Sequence, residues 1–354
     1  MDIEILTSEF VMIGVIDDFT SLIWHRKFYT SGLFKLKMPA TDANLNLIDK
    51  GRIVHKPEAN EAGVIDEYYY KREEDGGEYI EANGYFLTGL LGRRVIPTQT
   101  SFCDTYRNIM HSLVDENCVN TKFERVLQGL RLPELTEDQA NKVQLQVTGK
   151  NLLSYLGKVS QVAEIGFRIL YKRNYMEFDT YTGMDRSKEQ TENPRVYFSQ
   201  EYDNLASSEY TYSEMSKVTA SYVAGEGEGI ARTIVEVNNG ETGFDRYESW
   251  IDSRSSREEE MTDAEYMDML RENGLQALTA AAENFEGSVL QNGSTVYKQD
   301  FDLGDIVTVF SGRWNKELSV RVTEVEEVDD TSGSRIVVYF GKTEPTLADI
   351  LNED

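Results

Sequence analysis

Two hydrophobic periods alternate along this chain. Towards both ends apolar residues recur at every second position, the spacing of a strand with one buried face; between them lie stripes at three- and four-residue spacing, which mark amphipathic helices. Ile3 and Ile5 alternate, Val11 to Ile16 is an apolar run, and Leu22 to Tyr29 mixes β-branched with aromatic residues. Phe34, Leu36 and Met38 then share one face of residues 32–40. Thr41 is placed to cap a short helix through Ile48 that Gly51 closes. Strand patterning returns from Gly63 to Lys71, and Asp75-Gly76-Gly77 suits a hairpin turn into Glu78 to Glu81. Phe86, Leu87, Leu90 and Leu91 make a short helix ending near Arg93-Arg94. The expected product is a barrel or sandwich with small helices.

From Pro97 the period lengthens. Ser101 is expected to cap a helix whose stripe is Tyr106, Ile109, Met110, Leu113 and Val114. A loop around Leu130 to Asp138 precedes a strand, Val143 to Val147. A second helix carries Leu152, Leu153, Leu156 and Val159, with Gly166 as its stop, and Phe167 to Thr180 is strand-like with a turn at Arg173-Asn174. β patterning resumes at Arg195 to Ser199 and governs Ser216 to Asp252, which reads as two strands and the start of a third. The glycine run Gly225 to Gly229 and the turn Asn238-Asn239-Gly240 separate them. Thr262 with Glu265 forms a capping box for a helix through Tyr266, Met269, Leu270, Ala277, Leu278 and Ala281, which Gly274 weakens. Ser288 to Leu290, a turn at Asn292-Gly293, and strands at Ile306 to Phe310, Leu318 to Val325 and Ile336 to Phe340 follow. In the closing residues 343–354, Pro345 sits near a first helical position, and Leu347, Ile350 and Leu351 fall on one face. So short an apolar face needs a partner surface, which makes these three the candidate interface residues.

Composition narrows the class. The chain has 354 residues, 40% hydrophobic and 28% charged, as in ordinary globular proteins with room for two or three domains. No apolar run approaches the ~20 residues a membrane helix needs. The N-terminus MDIEILTSEF lacks the basic and apolar regions of a signal peptide, so synthesis in the cytoplasm is expected. Net charge is −26, from 36 basic against 62 acidic residues. That balance argues against gripping nucleic acid through its phosphates, and concentrated on one surface it would let a polyanion pass without sticking. Two cysteines, Cys103 and Cys118, are too few for a disulfide framework or a thiolate zinc site and are expected to be reduced.

No pattern in the chain carries recognisable catalysis. His25, His55 and His111 are scattered, without metal-ligand spacing, and structural roles are expected for all three. There is no G-x-S-x-G elbow. Acidic pairs such as Glu58/Glu61 and Asp329/Asp330 are so common here that a glycosidase-like spacing carries no information. Asp300, Asp302 and Asp305 lack the spacing and closing Glu of a calcium loop and read as a turn. In Gly225 to Gly229 the third glycine comes one residue too early for a dinucleotide fingerprint, and a strand rather than a helix follows. No catalytic, cofactor-binding or metal-binding residue is expected.

Several strings taken together resemble a known family. They are Phe34 to Thr41 (FKLKMPAT), Asp185 to Ser213 (DRSKEQTENPRVYFSQEYDNLASSEYTYS), Tyr222 to Gly229 (YVAGEGEG), Gly243 to Asp252 (GFDRYESWID), Tyr297 to Val309 (YKQDFDLGDIVTV) and Phe340-Gly341. In this order they resemble the tail-tip hub (baseplate hub) family of siphophages and prophages, distant structural kin of the myophage baseplate hub and of the base of type VI secretion spikes. The resemblance spans residues 1–342, nearly the whole chain. It implies an α+β, mainly β fold: two tail-tube-like antiparallel β-barrel domains joined by α/β domains, assembled as a homotrimer. On that basis residues 1–96 form the first barrel and 97–192 an α/β connecting domain. Residues 193–342 form a second barrel interrupted by a helical insertion at about 254–286, and 343–354 a docking tail.

The implied function is a structural hub at the distal end of the tail of a virion. Its ring would continue the tail tube, adapt sixfold to threefold symmetry and anchor host-attachment components for DNA ejection. Implied partners are the distal tail protein, tail tube and tape-measure proteins, and tail fibre or receptor-binding components, with DNA only passing through. Many relatives extend into receptor-binding or peptidoglycan-cutting domains, activities expected here on separate proteins. Two alternatives stay open, a tail-associated cell-wall hydrolase and a carbohydrate-binding module; the many tyrosines favour the second.

Overall fold

In the computed structural model, the alternating patterns at the two ends of the chain meet in one sheet. The structure describes residues 2–74, 76–135, 142–254, 257, 261–289 and 295–341. It divides into two compact units, one made of Met1–Glu209 with Phe285–Phe340, the other built on Tyr210–Asn284.

The first unit opens with β1 (Ile3–Leu6), β2 (Met12–Ile16), β3 (Ser21–Lys27) and β4 (Leu33–Pro39). Helix α1 (Asp42–Leu47) follows, with Thr41 Oγ1 accepting the Asn44 amide at 3.2 Å as the sequence predicts. Next come β5 (Ile53–His55), β6 (Ala62–Val64), β7 (Glu67–Arg72) and β8 (Glu78–Tyr85), then a 3-10 helix, Leu87–Arg93. The middle of the chain supplies β9 (Thr100–Asp104), α2 (Tyr106–Val114), β10 (Leu130–Arg131) and β11 (Val143–Val147). It continues with α3 (Leu152–Ala163), β12 (Gly166–Tyr171), β13 (Met176–Tyr181), β14 (Tyr197–Phe198) and β15 (Leu205–Ser213).

Two expected helix boundaries move. Ser101 does not cap α2: it lies in β9 opposite Gln146 of β11, and Thr105 accepts the Asn108 amide instead. The strand wins because β9 and β11 pair along their whole length. Gly166 does not stop α3 either. Glu164 takes the left-handed conformation there (φ 54°), and Gly166 begins β12, where the Phe28 ring occupies the space of a side chain.

In the second unit β16 (Ala220–Ala224) lies between β17 (Ile234–Asn238) and β18 (Glu248–Asp252), antiparallel to the first and parallel to the second. Helix α4 (Asp263–Ala277) covers one face, packing Tyr266 and Leu270 on Val223 and Val235. Its capping box forms as predicted: Glu265 accepts the Thr262 amide at 2.9 Å, and Thr262 Oγ1 accepts the Glu265 amide at 3.4 Å. Gly274 is no weak point, because a Cβ there would lie 2.7 Å from Val237 Cγ2; the glycine lets the helix approach the sheet.

The chain returns through β19 (Ala282–Val289), β20 (Ile306–Ser311), β21 (Lys316–Asp330) and β22 (Gly333–Phe340). One continuous path then runs β15-β19-β22-β21-β3-β4-β8-β7. Four strands from the N-terminal region and four from the C-terminal region share it, joined where β3 lies antiparallel to β21. A smaller sheet, β2-β1-β5-β6, adds its apolar face to a core of Ile3, Ile5, Trp24, Phe34, Leu36 and Phe86. A second core beneath α2 and α3 joins Ile109, Met110, Leu113, Leu152 and Leu156 to Phe167 and Phe178. The fold is α+β and mainly β. Among the described residues no helix is long and apolar enough to cross a membrane.

Candidate functional site

The organised polar chemistry of the first unit lies along the junction of β3 and β21. The sequence sets basic residues, His25-Arg26-Lys27, on one strand and Glu324, Glu326 and Glu327 on the other, and register places Lys27 opposite Glu324 and His25 opposite Glu326. Because successive side chains leave opposite faces, the seam has two sides. On one, Glu324 receives Lys27 Nζ at 3.1 Å and His25 Nε2 at 2.6 Å. Burial alone would raise the Glu324 carboxyl, but His25 and Lys27 outweigh it and hold it below its ordinary value.

On the other side Arg26 is 4% exposed. Its Nε donates to Glu61 Oε1 at 3.0 Å, and its Nη1 donates to Asp302 Oδ1 and the Tyr297 hydroxyl, both at 2.6 Å. Burial opposes the charge, yet Glu61, Tyr297 and Asp302 together push the guanidinium well above its ordinary value. Next to it Glu327 accepts from Lys56 Nζ at 2.5 Å and Lys298 Nζ at 3.0 Å, and these two cations overcome burial to hold its carboxyl low. Arg26, Lys56 and Glu61 come from the N-terminal region; Lys298, Asp302 and Glu327 from the C-terminal one. The pairs tie the two ends of the chain together.

His55, His111 and Asp305 have structural partners. His55 Nδ1 lies 2.8 Å from Glu4 Oε2 and its Nε2 3.1 Å from the Ala59 carbonyl. His111 sits edge-on to Phe178, 3.3 Å from Thr180 Oγ1, and burial, with Arg107 nearby, lowers it to about 4 despite Asp179. Asp305 accepts from the Met184 and Asp302 amides and from Arg186, making 300–305 a closed turn. Cys103 is free and exposed; Cys118 is free and buried, its thiol pushed up to about 11 by burial. Gly225 to Gly229 reverses the chain into β17: Thr233 N donates to the Glu226 carbonyl, and Arg232 Nε to the Gly225 carbonyl at 3.0 Å. Among the described residues no group of three or more His, Cys, Asp or Glu side chains could hold a metal ion. Leu347, Ile350 and Leu351, like the turn at Asn292-Gly293, lie outside the described residues.

The seam itself escaped sequence reasoning. Its signal was the basic triplet 25–27 set against the acidic run 324–330, but only a strand pairing brings runs so distant in sequence together.

Known structures place this fold among prophage tail proteins. The 43 kDa tail protein of prophage MuSo2 from Shewanella oneidensis is similar at 13% identity and a TM-score of 0.60, covering 96% of this chain and 98% of that one. Prophage tail protein gp18 from Listeria monocytogenes is similar at 12% identity and a TM-score of 0.58, over 99% and 97% of the two chains. A chain of the Francisella PdpA–VgrG complex is similar at 9% identity and a TM-score of 0.50, over 98% of this chain and 59% of that one. No curated protein matches. Over residues 2–342 the sequence matches the Siphovirus ReqiPepy6 Gp37-like family, and the chain belongs to it.

Proposed function

We propose that this protein is a phage tail protein and forms the hub of the tail tip. Three copies form a ring that continues the tail tube, anchors host-attachment components and opens for DNA ejection. The distal tail, tube and tape-measure proteins meet the ring, and fibre or receptor-binding components hang from it. The observation that carries this reading is the eight-strand path, built as four N-terminal strands and four C-terminal strands meeting at β3 and β21. Two four-stranded halves per subunit suit two tail-tube-like domains, so three subunits offer six similar surfaces to a sixfold tube and three to a threefold tip. A closed ring of this kind needs only one heterologous contact, repeated.

A net charge of −26 favours an acidic bore through which DNA slides without sticking. The 343–354 segment, through Leu347, Ile350 and Leu351, docks on a neighbouring chain in this account. Native mass spectrometry of the full chain and of a variant lacking 343–354 tests the trimer and the docking, and charge mapped onto the assembled ring tests the bore. A trimer that the deletion breaks is expected; an unchanged trimer removes the docking role, and a mapped bore of neutral or basic charge removes the sliding role.

A further inference from the structure

The second unit presents the same short motif twice. Gly229-Ile230-Ala231-Arg232 and Gly243-Phe244-Asp245-Arg246 each form one 3-10 turn, entered through an extended residue, Glu228 or Thr242. Each opens on a glycine at positive φ, 56° for Gly229 and 63° for Gly243, a conformation that a side chain would strain. Each closes on an arginine whose amide donates to the glycine carbonyl, at 3.3 and 3.4 Å. The arginines then fasten the turns to the sheet. Arg232 Nη2 donates to Asp252 Oδ1 at 2.6 Å and to the Ala224 carbonyl at 3.0 Å. Arg246 donates to Glu248 at 2.6 Å, to Glu236 at 2.8 Å and to the Tyr222 hydroxyl at 3.0 Å.

Between glycine and arginine stands one apolar side chain. Ile230 is 108% exposed and Phe244 102%, as open as in an extended peptide. Scattered exposed apolar residues are ordinary. Two held by the same device at the two ends of β17 are not scattered, and the face of the sheet away from α4 adds half-exposed Ile234 and Trp250. Holding a hydrophobic tip rigidly in water removes the ordering cost that a binding partner would otherwise have to offset.

Charge selects the partner. Glu228 flanks the Ile230 tip, together with Glu226, which Arg257 pairs at 3.4 Å; Glu241 and Asp245 flank the Phe244 tip, and Arg232 and Arg246 are engaged with the sheet. An acidic rim disfavours an anionic lipid surface, nucleic acid and the same face of a second copy, whose rim carries the same charge. We infer that Ile230 and Phe244 are paired anchors for a different protein of the tail, one with two apolar pockets, each rimmed by Lys or Arg. The inference rests on the chain being an assembled tail component, not on its ring symmetry.

The test uses assembled tails carrying Ile230→p-benzoylphenylalanine or Phe244→p-benzoylphenylalanine in the full chain. Irradiation is expected to cross-link both positions to one other tail protein, at segments bearing Lys or Arg. A cross-link to another copy of this chain, or to no protein, overturns the proposal. The double variant Ile230→Ser/Phe244→Ser should melt as the parent does, yet enter tails at least roughly 30-fold less well, the weight of two interface anchors. Unchanged incorporation also overturns it. Absence of the unmodified chain from purified tails would instead remove the tail reading beneath it.

Discussion

Replacing Arg26 with methionine should cost far more than any surface charge. The guanidinium sits between Glu61, which takes Nε and Nη2 at 3.0 and 2.9 Å, and Asp302 and Tyr297, which share Nη1. The two carboxylates differ in what they lose. The Asp302 side chain is 48% exposed and can return to water. Glu61 is 5% exposed, and its remaining cation, Arg168, lies 3.9 Å away. The penalty is therefore that of stranding one buried carboxylate, about 3–5 kcal/mol. Against a domain stability of about 5–15 kcal/mol, Arg26→Met should unfold the first unit at markedly lower urea. The companion variant Arg26→Met/Glu61→Leu removes both charges and should recover most of the loss, because the attraction of a buried pair roughly offsets its desolvation. Urea titration followed by tryptophan fluorescence reads both, since Trp24 is buried in β3, the strand that carries Arg26. A loss below about 1 kcal/mol for the single variant, in the range of surface pairs, would refute the reasoning. So would a double variant no more stable than the single one.

Two further outcomes follow from the same geometry. His111 is held neutral in the fold, lowered to about 4 from 6.5, so the unfolded chain binds the proton first as pH falls. Stability should thus rise with pH between those values, with about 2 kcal/mol lost from pH 7 to pH 5; His111→Phe should remove that part of the slope, and an unchanged slope would contradict it. Gly274→Leu drives a side chain into Val237 and Val223 and should destabilise the second unit by about 1–3 kcal/mol, although leucine is the better helix former. Hydrogen exchange along α4 checks this, and a slowed exchange would show that the helix has room to shift.

How much of this was legible in the sequence depends on the distance over which each feature is decided. The capping box at Thr262, the Thr41 cap and the turn at Arg173-Asn174 are set by residues within a few positions, and all three form as read. The apolar stripes of α2 and α3 likewise mark the buried faces. Ser101 misled because it is a good cap beside a helix, while its fate was settled by β11, some forty residues on. Gly166 and Gly274 misled for a related reason. Each is glycine because a side chain from elsewhere, Phe28 in one case and Val237 in the other, needs the space. β5 is three residues long and too short to carry a period, so only its pairing with β1 and β6 defines it. The candidate site was least legible. His25, Arg26 and Lys27 read as an ordinary charged strand end until β21 brings Glu324 and Glu327 beside them. The two Gly-apolar-x-Arg turns were visible as letters, but the exposure of Ile230 and Phe244 was not.

The most direct test of the hub itself is cryo-electron microscopy of the tail tip carrying this protein. The account predicts three copies around one axis, with the β3–β4–β8–β7 half and the β15–β19–β22–β21 half alternating as six similar blocks around the bore. Six copies in a ring, a copy placed away from the axis, or three copies with only one half facing the bore would contradict it.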